Sequence, residues 1–159
     1  MDVSLCDRSG FDANAIAERL TLVGLDRPGM NRLGRVLQDR VISPNTDAIV
    51  DRLYNSFAQI EGFSRVVAEH SSTDRIRKKQ EHYLRGLGVD FDRREYFEDR
   101  LRIGAVHQSV GVSQTLYQCT FQALQNLLIE YIPQAIRDDE AAFAEMLQFI
   151  LKITALDMS

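Results

Sequence analysis

The sequence contains few of the residues that interrupt helices or gather metals. Three prolines and nine glycines occur among 159 residues, so long helices can run without a break. The two cysteines, Cys6 and Cys119, stand far apart, and the missing CxxC pattern argues against the usual structural zinc site. Because Cys119 lies within a helical apolar run, we expect it to be a small buried side chain.

The sequence also lacks an excess of positive charge and a long apolar run. Its 23 acidic residues outnumber its 19 basic ones, and the net charge of −4 argues against general nucleic-acid binding. No apolar segment approaches the roughly 18 residues that span a bilayer, so we expect no membrane contact. The first residues lack the basic and apolar regions of a signal peptide, which predicts a cytoplasmic chain.

The apolar spacing that is present is typical of a helical protein. Hydrophobic residues make up 45% and charged residues 26% of the chain, as in an ordinary single globular domain. Apolar residues recur every three or four positions and no segment alternates, which predicts an all-α domain of about seven helices. The predicted helices cover residues 11–23, 30–41, 43–57, 73–87, 96–110, 113–131 (ending near Pro133) and 138–159, with a turn at 59–64.

One histidine stands out because it lies on an apolar helix face. Ile103 precedes His107 by four residues and Val110 follows it by three, so the three side chains share one face. Such a histidine is either a core residue satisfied by hydrogen bonds or the axial ligand of a haem iron. The spacing alone favours the core residue.

Four motifs follow one another along most of the chain. They are Leu53-Tyr54, residues 69–75 (EHSSTDR), residues 102–111 (RIGAVHQSVG) with Leu116-Tyr117 after them, and residues 153–157 (ITALD). Together they resemble the globin-coupled sensor family, in which an N-terminal haem-globin domain regulates an attached output domain. The resemblance implies an all-α, globin-like fold with an extra N-terminal helix. It also implies that residues 1–159 form the sensor domain and that the output domain lies outside this sequence.

The resemblance reverses the interpretation of His107 and assigns further residues. It implies that His107 is the proximal ligand of the iron of haem b, held non-covalently since the sequence has no CxxCH motif. Tyr54 matches the distal tyrosine that would donate a hydrogen bond to O2, and an ordinary core tyrosine is the alternative. The distal helix offers Ile76, Lys79 and Gln80 as ligand-binding candidates. The expected cofactor-binding residues are Leu53, Phe57, Ile103, Gly104, Val110 and Tyr117.

Several of these residues keep a second interpretation. Gly104 either gives the porphyrin room or packs against another helix, and Tyr117 either contacts the haem or fills the core. His70 and His82 are possible sixth iron ligands, although a surface or supporting position is favoured for both. The basic helix at 73–87, with Lys79, either neutralises haem propionates or forms a solvated face.

The partners follow from the last two predicted helices and from the resemblance. Both helices are apolar on more than one side, which suits a homodimer interface. The resemblance implies an O2 sensor, able also to bind CO and NO, that signals through this dimer to an output domain such as a diguanylate cyclase. Two alternatives stay open, a haem enzyme of the NO dioxygenase or peroxidase-like kind and a haem-free helical interaction module. No flavin or nicotinamide motif accompanies the enzyme alternative.

Overall fold

The structure is a computed structural model, and it describes residues 3–159. Within that range the chain forms α-helices, a π-helical segment and a short 3-10 turn, with no strand, so the all-α prediction is confirmed. The helices are α1 Leu5–Arg8, α2 Ala13–Val23, α3 Asn31–Val36, α4 Thr46–Ala58, α5 Glu61–His70, α6 Thr73–Gly86, α7 Arg94–Ser109, α8 Gln114–Ala135 and α9 Glu140–Met158. The π-helical segment Leu37–Ile42 and the 3-10 turn Ser43–Asn45 join α3 to α4.

Polar side chains fix where the longer helices begin. Asp12, Ser72, Ser113 and Asp139 each accept a hydrogen bond from the backbone N–H three residues later, which satisfies a donor that has no partner inside the helix. The start of α6 was predicted at about residue 73 from the SSTD sequence, and that of α8 after Ser113, and both are confirmed. These caps set the rotation of α6 and α8, and therefore which side chains face each other between them.

The structure corrects three predicted elements. The turn predicted at 59–64 is confined to Gln59 and Ile60, because α5 begins at Glu61. Gly62 is tolerated in the first turn of α5, and Phe63, Val66 and Val67 of this helix are half-buried. The helix predicted at 30–41 is α-helical only to Val36 and continues as the π-helical segment. Helix α8 runs past Pro133 to Ala135, since a proline near a helix end removes only one hydrogen bond.

The core lies where α3 and the π-helical segment, α4, α8 and α9 pack together. Its fully buried side chains include Leu37, Ile49, Leu128, Ile132, Phe149 and Ile150. Two glycines bring α3 against the turn after α6: a Cβ atom on Gly34 would lie 1.9 Å from the carbonyl oxygen of Gly88. Among residues 3–159, no helix is long and apolar enough to cross a membrane.

The two cysteines occupy opposite environments. Cys6 is buried where α1 rests on α7, and Glu98 accepts hydrogen bonds from the N–H groups of Leu5 (2.7 Å) and Cys6 (2.9 Å). The predicted burial of Cys119 is wrong, because its side chain is exposed. Cys119 lies two residues before the buried Phe121, about 200° around α8, and therefore points away from the core of this chain.

Candidate functional site

A cavity of about 670 Å³ lies between α4, α5, α6, α7 and α8. This volume is within the range of about 300–1,000 Å³ typical of sites for small molecules and cofactors. Its wall is mainly apolar. The apolar lining residues are Leu53, Phe57, Phe63, Val66, Val67, Ile76, Ile103, Val106, Val110, Val112, Leu116, Phe121 and Leu124.

The polar part of the lining is strongly basic. Helix α6 contributes Arg75, Lys78 and Lys79, and α7 contributes Arg102 together with the acidic Asp99. Arg75, Lys78, Lys79 and Arg102 are exposed, so their charged ends remain in water while their stems contribute to the cavity wall. An apolar chamber with a cationic rim suits a flat or elongated apolar molecule that carries negative groups at one end.

His107 lies in the wall of this cavity on α7. Its Nδ1 atom is 2.8 Å from the carbonyl oxygen of Ile103. Because a carbonyl oxygen only accepts, Nδ1 carries the proton, and in the neutral ring the lone pair lies on Nε2. The ring of Tyr117 meets the imidazole edge-on at a centroid distance of 5.2 Å and restricts its orientation. The histidine is thus set in one tautomer and one orientation, as a metal-ligating imidazole is.

The other predicted pocket residues converge on the same cavity, with two exceptions. Ile76, Lys79 and Gln80 line it, as do Leu53, Phe57, Ile103, Val110 and Tyr117. The first exception is Gly104, which borders a smaller neighbouring cavity of about 290 Å³ together with His107, Gln108, Val112, Gln114 and Tyr117. Apart from the neighbouring backbone of α7 itself, a Cβ atom on Gly104 would meet no heavy atom of the described residues within 4 Å, so the helix-packing alternative is wrong.

Tyr54 is the second exception. Its ring packs edge-on against Phe63 at 5.8 Å, but it is not among the described residues that line the cavity. The hydroxyl lies 2.9 Å from the hydroxyl of Thr73, in the first turn of α6. The ordinary core tyrosine considered as the alternative is wrong, because the side chain is half-buried and bridges α4 to α6 at an exposed edge. Whether the residue acts as a distal donor stays a prediction.

Two buried polar atoms of the cavity wall have no hydrogen-bond partner among residues 3–159. They are the hydroxyl oxygen of Ser71 and the side-chain oxygen of Gln80. Nearly all buried polar atoms in folded proteins are paired, so two unpaired ones in one cavity indicate that a bound molecule or water completes them. The surface position predicted for His70 and His82 is confirmed, since both side chains are exposed at the cavity's edge.

Sequence reasoning missed a buried charge at the end of α9. The Asp157 carboxylate accepts hydrogen bonds from the hydroxyls of Tyr83 (2.5 Å) and Tyr96 (2.8 Å) and from Nε of Arg100 (3.0 Å). Burial raises the pKa of Asp157, and the guanidinium and the two hydroxyls act against that rise. The signal in the sequence was an aspartate within an otherwise apolar final turn, next to the buried Leu156.

The pKa values of the three residues that bond to Asp157 are raised as well. Burial, and then the charge of Asp157, raise the phenol pKa values of Tyr83 and Tyr96 well above the ordinary 10.0. Burial disfavours the charged form of Arg100, but Asp157 and the two phenols outweigh this effect and raise its pKa. The site therefore holds a charged guanidinium against a carboxylate and two neutral phenols.

Helices wrapped around an apolar cavity with one oriented histidine in its wall define a globin-like domain. Comparison with known families identifies it further: the Protoglobin family matches residues 12–159, and the chain belongs to that family. The expected globin-like fold with an additional N-terminal helix, and the resemblance to globin-coupled sensors, are confirmed.

A curated relative supports the same assignment. The chain is 28% identical over 145 residues to the heme-based aerotactic transducer HemAT of Halobacterium salinarum. The alignment covers 89% of this chain and 29% of that protein. The chain thus spans less than a third of the length of this relative.

Proposed function

We propose that residues 1–159 form a haem-based O2 sensor domain, with haem b held non-covalently in the cavity of about 670 Å³. The observation that carries this proposal is the placement of His107, whose lone pair lies on Nε2 in the wall of an apolar cavity. The family match and the printed name of the transducer relative support the same chemistry. The bound iron would supply reversible binding of O2, and also of CO and NO.

The residues present fit this cofactor. The apolar lining suits the porphyrin face, and the exposed Lys78, Lys79 and Arg102 at the edge suit its propionates. His107 would be the proximal ligand, oriented by Ile103 and Tyr117. The open space beside Gly104 leaves room close to that ring.

The distal side would be formed by α4 and α6. Ile76 supplies an apolar wall. The side-chain oxygen of Gln80 has no partner among residues 3–159, and the amide would donate to a ligand through its other end, the NH2 group. Tyr54 would have to exchange Thr73 for the ligand, a change of partner for one hydroxyl. A partially negative ligand favours that exchange because charge-assisted hydrogen bonds are stronger than neutral ones.

Signalling would pass through the last two helices. Helices α8 and α9 pack along each other, and α9 leaves Leu151 and Met158 exposed. We infer that a homodimer covers these side chains and that a cytoplasmic output domain, such as a diguanylate cyclase, responds to repacking of that interface. Regulation of this kind requires different ligand affinities in the two states of the dimer.

Titration of the haem-free protein with haemin tests the proposal. Wild type is expected to bind haemin stoichiometrically with a sharp Soret band, and His107→Ala to lose or shift that band. His82→Ala is the matched control because it removes another histidine at the edge of the same cavity. A wild-type protein that fails to bind haemin would contradict the proposal and leave a haem-free interaction module.

A further inference from the structure

A buried carboxylate ties both sides of the cavity to the end of the chain's last helix. Asp157 lies in the final turn of α9 and accepts from Tyr83 of α6 and from Arg100 of α7. The side chain of Asp157 is 0% exposed and that of Arg100 is 9% exposed, so water competes little with these bonds. Removing one partner of such a buried pair leaves an uncompensated charge, so the three helix segments are held together strongly.

A continuous series of aromatic contacts leads from His107 to this carboxylate. The His107 ring meets Tyr117 at a centroid distance of 5.2 Å, and Tyr117 meets Phe121 at 5.1 Å. Phe121 in turn meets Tyr83 at 6.2 Å, and the Tyr83 hydroxyl donates to Asp157. The first three contacts join rigid rings in the cavity wall, and the fourth is the hydrogen bond to Asp157. Few flexible side chains therefore lie along this path to absorb a displacement of His107.

A second connection runs along α7 itself. Arg100 precedes His107 by seven residues, which places both on one face of the helix two turns apart. A shift of α7 along its axis would move the histidine and the guanidinium together. Arg100 also holds Asp99 through Nη1 (2.8 Å), while its Nη2 atom is buried without a partner among residues 3–159. The guanidinium therefore has a spare donor for a second arrangement.

We propose that Asp157 is a positioning residue that couples the ligand state of the cavity to the last turn of α9. Through its carboxylate, a movement of α6 or α7 displaces the last turn of α9. Because coupling between two sites is reciprocal, a displacement of α9 also changes the affinity of the cavity for its ligand. This inference rests on the proposed function of the cavity. It adds the residues through which the cavity and the end of the domain act on each other.

The test uses haemin-loaded protein that has been reduced with dithionite in the absence of O2, with CO as the probe, because CO binds the ferrous haem. Asp157→Asn keeps the shape of the side chain but removes the charge that holds Arg100. Glu145→Gln is the matched control, because Glu145 lies on the same helix in an exposed ion pair with Arg32 (3.1 Å). Tyr83→Phe removes one hydroxyl and keeps the ring of the aromatic series, and it serves if Asp157→Asn folds poorly. Hydrogen exchange of residues 150–158 and the CO affinity are measured for each protein.

In wild type and Glu145→Gln, CO binding is expected to change the exchange of residues 150–158. In Asp157→Asn that change should be lost, and the CO affinity should differ from wild type by about 2- to 30-fold. Tyr83→Phe should reduce the CO-dependent change. A wild-type α9 that does not respond to CO, or a response retained in both Asp157→Asn and Tyr83→Phe, would overturn the inference while leaving haem binding intact. Failure to take up haemin would instead identify the proposed function as the error.

Discussion

The hydroxyl of Tyr54 bonds to the hydroxyl of Thr73 at 2.9 Å and so joins the middle of α4 to the first turn of α6. The residue expected to act on the distal side is thus engaged with a partner beside the cavity. Thr73 is a neutral hydroxyl, so a ligand that acquires negative charge competes well for the tyrosine O–H. Tyr54 can therefore act as a distal donor only when its hydroxyl leaves Thr73 and bonds to the ligand.

Tyr54→Phe should release O2 about 10- to 100-fold faster than wild type, because it removes a charge-assisted hydrogen bond of about 1.5–3 kcal/mol. Thr73→Val is the matched variant: it removes the competing partner and should slow O2 release. Stopped-flow measurement of O2 dissociation from the haem protein checks both. Equal rates in Tyr54→Phe and wild type would assign Tyr54 to the structural bridge between α4 and α6 alone.

Two glycines with opposite surroundings give a paired stability prediction. Gly34→Ala should destabilise the fold by about 3 kcal/mol, since its methyl group would overlap the carbonyl oxygen of Gly88. Gly104→Ala should stabilise the haem-free fold by about 1 kcal/mol, because it lies within α7 with open space around it. Urea unfolding of the two haem-free variants measures the free energies.

The Gly104→Ala variant also tests the space beside His107. If the porphyrin extends toward Gly104, Gly104→Ala should weaken haemin binding while it stabilises the haem-free chain. An unchanged haemin affinity would show that the methyl group lies outside the bound cofactor, and a loss of haem-free stability would contradict the open space seen in the structure.

Much of this architecture was predictable because it depends on local spacing. The helical pattern and the caps at Ser72 and Ser113 are encoded within a few residues of each other. Spacing alone favoured a core position for His107, and the resemblance carried by the surrounding motifs pointed to the iron ligand. The exposure of Cys119 was not predictable, because the apolar run of α8 has more than one apolar side. The partners of Asp157 were not predictable either, since Tyr83, 74 residues away, reaches the carboxylate only after the chain has folded.

Acid should release α1 from α7. Two backbone N–H groups, those of Cys6 and Leu5, lower the pKa of Glu98 below the ordinary 4.5. Because the folded pKa is the lower one, this contribution to stability is present above pH 4.5 and is lost as the pH falls through the folded pKa. With Cys119→Ser in the background, the rate at which Cys6 reacts with a disulfide reagent, divided by the rate of a free thiol at the same pH, should be low at neutral pH and rise in acid.

Glu98→Gln should raise the reactivity of Cys6 already at neutral pH, because the amide has no charge and only one oxygen to accept the two N–H groups. The measurement is the rate at which Cys6 reacts with dithiodipyridine, compared between the Cys119→Ser parent and the same parent carrying Glu98→Gln. Equal rates in Glu98→Gln and its parent would show that α1 stays in place without the carboxylate.

Alkali should ionise the phenols of Tyr83 and Tyr96 only together with unfolding. Their folded pKa values lie well above 10.0, so their contribution to stability is present below pH 10.0 and is lost as the pH rises further. Phenolate absorbance and far-ultraviolet circular dichroism are followed during one pH titration. Two of the five tyrosines should ionise with the loss of helix. Complete ionisation near the ordinary value with the helices intact would contradict the buried network.

His107 is proposed to hold a haem that binds O2 reversibly in the cavity. The visible absorption spectrum of the haemin-loaded chain tests this proposal when it is recorded after reduction with dithionite, after exposure to air, and again after removal of O2. We expect a ferrous spectrum that converts to an oxy form and returns, and that is lost or altered in His107→Ala. A chain that takes up no haemin, or whose reduced haem oxidises at once without a reversible oxy form, would show that the cavity is not a reversible O2 site.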